Sequence, residues 1–171
     1  MSSSYNISQS LLPEFDHEMA NTRRLLSRVP EGRGDFAPHT KSMTLARLAG
    51  HVAELPSWGL MALGQDELDL NPPSGPVFVA FHFETKTAAL AKFDSDMKQL
   101  RQLLAATSDA DMMKSWTLKS GGHSIMSMPR AAVFRGFVMN HLIHHRAQLG
   151  VYLRMNDVAV PGLYGPSADE Q

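Results

Sequence analysis

Eight histidines and no cysteine set the chemistry open to this chain. His141, His144 and His145 fall inside one helical pattern running from Phe134 to Leu153. At about 100° per residue, Phe134, His145 and Tyr152 lie within about 40° of His141, and Phe137 and Gln148 lie close on its other side. The apolar stripe that faces the core therefore carries two imidazoles, His141 and His145, one turn apart. His144 sits about 60° away, toward the stripe's edge. Two core-facing rings are costly unless something satisfies them, and a metal ion does so by taking a lone pair from each.

A third imidazole has the same inward phase. His51 lies among Leu45, Leu48, Val52, Leu55, Trp58 and Ala62, the buried face of an earlier helix. His51, His141 and His145 together make a three-histidine set suited to a divalent ion, Zn, Ni or Fe, with a coordination position left for water or substrate. Without cysteine the ligands are N and O donors, and thiolate nucleophiles, disulfides and Cys-ligated metal are excluded for these residues. Glu54, one turn from His51, is a candidate partner for that ring, and a plain surface role is the alternative. Glu14 and His17 form a single E-x-x-H. A di-iron carboxylate site needs two such pairs, and no second one occurs. His17, His39, His82, His123 and His144 are read as structural or surface residues. H-E-x-x-H and G-x-S-x-G are both absent.

The elements that must position these residues follow from punctuation and periodicity. The first nine residues read as a polar lead-in. Ser10 caps a first helix carrying Leu12, Phe15, Met19, Leu26 and Val29, with Pro13 in its first turn. Ser42 or Thr44 starts the second helix, which is expected to kink at Pro56 and end near Gly64. Residues 65–83, with Asn71-Pro-Pro-Ser-Gly-Pro76, form a long connection and a candidate pocket rim. A third helix spans about Thr85 to Thr107. Gly121-Gly122 marks a hairpin between 113 and 128. Pro129 opens the last helix, which ends near Asn156, and residues from about 160 onward form an extended tail. The pattern predicts an all-α fold, a four-helix bundle with a long crossover carrying a short hairpin, as one domain over residues 1–171. Arg146 and Gln148 are expected to support packing between helices.

A net charge of −1 gives no footprint for nucleic acid, and no apolar run approaches a membrane span. The polar N-terminus shows no apolar leader, and the cytoplasm is the expected compartment.

The segments Leu45-Ala-Arg-Leu-Ala-Gly-His-Val-Ala-Glu54 and His141-Leu-Ile-His-His-Arg-Ala-Gln-Leu149 resemble the DinB/YfiT-like family, as do the helix order and the closing Val-Pro-Gly-Leu-Tyr-Gly. The resemblance covers about residues 10 to 165. It implies an up-down-down-up bundle, a three-histidine metal site at His51, His141 and His145, and a homodimer, which the Met- and Trp-containing composition also suits. It further implies a small-molecule substrate, with low-molecular-weight thiols used by some relatives. Ala147 stands where the family often has Gly, and His144 matches no ligand position. Two functions follow as expectations: a metal-dependent hydrolase or thiol transferase, or a non-catalytic, stress-related metal- or ligand-binding module.

Overall fold

A computed structural model describes residues 6–170. Four long helical segments carry the core. The first, α1 (Ile7–Leu26), starts four residues ahead of the sequence expectation. Asn6 rather than Ser10 is its cap, accepting the Gln9 N–H at 2.7 Å, and Pro13 consequently lies in the second turn. Residues 6–9 are thus cap and helix; the rest of the expected lead-in falls outside the described residues. Thr44 caps α2 (Leu45–Gly64), which continues through Pro56 to the expected end. Thr85 caps α3 (Lys86–Ala106). A short α4 (Asp109–Met112) follows, capped by Ser108.

The fourth segment is compound. After α5 (Arg130–Ala132), residues Val133–Asn140 are π-helical, and α6 (His141–Met155) completes it. A uniform α pitch, assumed in the sequence phasing, therefore does not hold across Phe134 to His141. A π turn holds one more residue than an α turn and shifts the phase downstream.

Apolar faces meet between these segments. Phe15 and Met19 of α1, Leu48, Val52 and Leu55 of α2, Phe93 and Leu100 of α3, and Phe134, Leu142 and Leu149 of the last segment are almost wholly buried. Helix α2 packs on α3 and on α6, and α1 packs on α3. Each such side chain contributes about 1.5–3 kcal/mol through burial, so the core stands on apolar packing.

The fold is mainly helical but not all-α. Strands β2 (Ser115–Ser120) and β3 (His123–Pro129) form the expected hairpin, with Gly121 and Gly122 at φ of 60° and 80° in the turn. Positive φ at both turn residues is the geometry that a Gly-Gly pair adopts without steric cost. The departure is β1 (Glu67–Asp69), which pairs parallel to β2 from within the connection expected to lack regular structure. Its hydrogen-bond partner lies about fifty residues downstream, and three half-polar residues carry no periodic signal of their own. Asp69 also accepts the Gly121 and Gly122 N–H groups, at 3.0 and 2.7 Å, tying the connection to the hairpin turn. Trp116 of β2 is fully buried and docks the sheet on the helices near Phe137, with ring centroids 6.5 Å apart.

Beyond the sheet, residues 76–85 form an extended strap that crosses α2. Gly50 makes the crossing possible: a Cβ there would lie 2.6 Å from the Phe81 carbonyl oxygen and 3.1 Å from the Phe83 nitrogen. The tail after α6 is fastened to α1. Asn21 Nδ2 donates to the Leu163 carbonyl at 2.9 Å, and the Tyr164 hydroxyl donates to the Glu18 carboxylate at 2.8 Å. Arg146, buried on α6, reaches the same place, donating to the Glu18 carbonyl at 3.0 Å and to Thr22 Oγ1 at 3.2 Å. Arg146 thus links α6 to α1, as expected of it. Among the described residues, no helix is long and apolar enough to cross a membrane.

Candidate metal centre

Helix α2 brings His51, and the first turn and a half of α6 bring His141 and His145, to one point. One ring nitrogen from each lies within 4.8 Å of the other two. Ring centroids are 5.0 Å apart for His51–His141, and 4.7 Å for His51–His145 and for His141–His145. This is the one cluster of three or more metal-type donors among the described residues. His17, His39, His82, His123 and His144 are not part of it. His17 lies against Asn21, with Nε2 3.0 Å from Nδ2, and Glu14 pairs with Arg135 at 2.6 Å, so the E-x-x-H residues are otherwise engaged.

The far side of each ring fixes its tautomer. His51 Nδ1 lies 2.9 Å from Glu54 Oε1, His141 Nδ1 lies 3.2 Å from the Phe137 carbonyl, and His145 Nδ1 lies 2.8 Å from Gln148 Oε1. Each partner is an acceptor, so each Nδ1 carries the proton and each Nε2 presents a lone pair. The Nε2 atoms of His51 and His141 are 3.2 Å apart. Two lone pairs at that distance repel unless a cation lies between them. The donor set therefore fits a divalent ion with affinity for imidazole: the ring orientations are held from behind, and one nitrogen of each ring lies close to the other two.

Electrostatics agree. Burial, against the bond to Gln148, pushes the His145 ring down from the ordinary 6.5 to about 4. Burial and then the neighbouring His51 also lower His141. Both rings are unprotonated at neutral pH, the form in which imidazole binds a metal.

Local structure explains the holders. The π-helical stretch ends at His141, whose own N–H bonds to the Val138 carbonyl. The Phe137 carbonyl, which a regular α-helix pairs with the His141 N–H, accepts the His141 ring instead. Gln148 is oriented by His144: its Nε2 lies 3.1 Å from His144 Nε2, which turns Oε1 toward His145. Gln148 was expected to serve packing between helices; the structure sets it against His145, at the i, i+3 spacing from which that contact was legible. The Phe137 carbonyl was not legible, because it depends on the π stretch.

Glu54 is the most connected of the holders. It is 2 % exposed, and while Oε1 takes the His51 ring, Oε2 accepts the Phe81 N–H of the strap at 2.6 Å. Arg47 stands 3.6 Å from Oε1. A cavity of about 550 Å³ lies beyond Glu54, between the strap and α3, lined also by Ser57, His82, Glu84 and Lys92. A smaller cavity of about 260 Å³ opens beside His145, lined by Lys41, Ser42, Met43, Leu48, Gln148 and Tyr152.

Comparison with known proteins places this arrangement. The fold matches a DinB-like protein from Bacillus cereus, with a TM-score of 0.65, 20% identity, and 91% of this chain and 97% of that one covered. It also matches a DinB-like protein from Bacillus subtilis, with a TM-score of 0.62, 12% identity, and 95% and 99% covered. At these identities the likeness is one of fold. A curated fungal protein, the cytochrome P450 monooxygenase sdnB of Sordaria araneosa, is 31% identical over 108 residues, 61% of this chain. The match takes in 19% of that protein, so the chain spans about a fifth of the curated relative's length. The family model described as the DinB superfamily matches residues 14–149, which include all three histidines, and the chain belongs to the DinB superfamily.

Proposed function

We propose that the protein is a metal-dependent enzyme in which His51, His141 and His145 hold a divalent ion, Zn, Ni or Fe, for hydrolysis or thiol transfer on a small molecule. The observation carrying this reading is the convergence of one ring nitrogen from each of three imidazoles, each of which is held by an acceptor at its Nδ1. Bound there, such an ion supplies the acidity that makes water or a thiol cosubstrate nucleophilic near neutral pH.

The chain's own residues do the positioning. Glu54, the Phe137 carbonyl and Gln148 each keep one imidazole turned inward. Among the described residues no fourth His, Cys, Asp or Glu joins the three, which leaves room for a substrate. These residues include no cysteine, so a thiol at the site arrives from outside them. The haem chemistry of a cytochrome P450 needs a Cys thiolate and is not carried over from the fungal relative. We read residues 1–171 as one domain with the up-down-down-up helix order, acting in the cytoplasm as a homodimer.

Metal analysis of protein purified without chelator or affinity metal tests the reading. One equivalent of a divalent ion is expected, with loss of the ion in His51→Ala. Chelation should leave far-ultraviolet circular dichroism nearly unchanged, because the apolar core stands without the ion, and should abolish turnover. A metal-free state that is unfolded at room temperature makes the ion a structural staple and ends the enzymatic reading.

A further inference from the structure

We infer that the substrate of this site carries an anionic group, and that Lys41 receives it in the small cavity beside His145. The inference rests on the three-histidine metal reading above. The cavity has a volume of about 260 Å³. Counting liquid water at about 30 Å³ per molecule, it has room for a small molecule that carries a charged group.

Its polar groups can be accounted for one by one. The Tyr152 hydroxyl donates to the Met43 carbonyl at 3.1 Å. The Gln148 amide is committed at both ends, to His145 and His144. The first amides of α2, which begins beside the cavity, are also taken: Leu45 N–H by the Phe36 carbonyl at 2.7 Å, Ala46 N–H by the Gly34 carbonyl at 3.0 Å, and Arg47 N–H by Thr44 Oγ1 at 3.2 Å. Two side-chain donors of the lining residues remain, the Lys41 ammonium and the Ser42 hydroxyl. Neither side chain has a hydrogen bond or ion-pair partner among the described residues, and no carboxylate lines this cavity. Met43 and Leu48 give it an apolar wall.

The larger cavity has the opposite character. It is lined by Glu54 and Glu84, and its lysine, Lys92, is already paired with Asp96 at 2.7 Å. A negatively charged ligand is therefore repelled on the strap side and attracted on the Lys41 side. The positive end of the α2 dipole adds to that attraction, although its N–H groups are committed.

Small thiols of different charge, titrated into Co(II)-loaded protein, test this through the sulfur-to-cobalt absorption band. The probes are 3-mercaptopropionate, 2-mercaptoethanol and cysteamine. In the wild type the anionic thiol is expected to bind about fivefold or more tightly than the neutral one, with the cationic one weakest. The preference should shrink with added salt. In Lys41→Met the ratio between anionic and neutral probes should fall close to one, and in Lys41→Glu it should reverse. Equal binding of the three probes by the wild type, a ratio that survives Lys41→Met, or no band with any probe at millimolar concentration overturns the inference. Those outcomes leave the metal reading intact, provided Co(II) binds and is lost in His51→Ala. Failure of that cobalt binding removes the metal reading itself, and the inference with it.

Discussion

Nε2 of His51 and Nε2 of His141 face each other at 3.2 Å while both rings spend their Nδ1 protons elsewhere, one on Glu54 and one on the Phe137 carbonyl. His141→Ala deletes one of the facing donors and should reduce metal content to a small fraction of the wild-type value. His144→Ala should retain nearly full content, with affinity lowered by at most about threefold through looser seating of Gln148. Atomic absorption on the two variants decides this; equal loss in both means that the inward pair on α6 is wrongly identified.

Glu54→Gln keeps the size of the side chain but removes the charge that orients His51. Metal affinity should fall about tenfold to a hundredfold, the usual cost of losing such a carboxylate behind a histidine ligand. The same substitution weakens the bond to the Phe81 N–H, so hydrogen exchange at that amide should accelerate. Unchanged affinity by competition titration would show that Glu54 serves only the strap.

Gly50→Ala should act on the site without touching a ligand. The new methyl group lies 2.6 Å from the Phe81 carbonyl oxygen, a distance that backbone cannot tolerate, so the strap must lift. We expect a loss of about 1–3 kcal/mol in stability. Metal affinity should also weaken, because the lifted strap pulls on Glu54. Denaturant melts of the metal-free variant measure the first effect and metal titration the second. Wild-type values in both contradict the crossing described for Phe81 and Phe83.

The metal-free protein should lose stability in mild acid. His145 is held near 4 in the folded state against an ordinary 6.5. Between those values the unfolded chain takes up a proton that the folded chain refuses, so the folded state is disfavoured as pH falls. The contribution is fully present above about 6.5 and is lost progressively as pH drops through about 4. His141, shifted in the same direction by burial, adds to it. Tm should decline steadily from pH 7 to 4.5, and less steeply in His145→Gln. A flat profile across that range is incompatible with buried, neutral rings.

Much of this arrangement was legible in the sequence, and the reasons are local. Thr44, Thr85 and Pro129 mark helix starts because capping and fixed φ act within one turn, and Gly121-Gly122 marks its hairpin for the same kind of reason. A one-turn spacing puts His141 and His145 on one side of α6 whatever lies upstream, which is why their proximity to each other could be anticipated. The features that escaped notice depend on partners distant in sequence or on irregular backbone. Strand β1 exists because β2 is there to pair with it. The Phe81 contact requires a strap to cross at Gly50, and nothing in a run of apolar and polar residues announces where a connection will cross. The start of α1 was misplaced because Asn6 and Ser10 are both competent caps; Asn6 caps, and Ser10 bonds back to the Ile7 carbonyl at 2.6 Å.

The π-helical stretch from Val133 to Asn140 separates two things that a single regular helix would lock together. Upstream, Phe134 packs against Phe15 of α1, with ring centroids 6.1 Å apart. Downstream, the imidazoles face α2. In an unbroken helix, rotating one group would rotate the other. The widened turn acts as an adjustable coupling, a spacer worth one residue, or about 100° of rotation. Removing a single residue from it would keep every histidine in the chain and still swing the pair away from His51, so the length of this stretch, as much as the identity of its residues, is a heritable part of the centre.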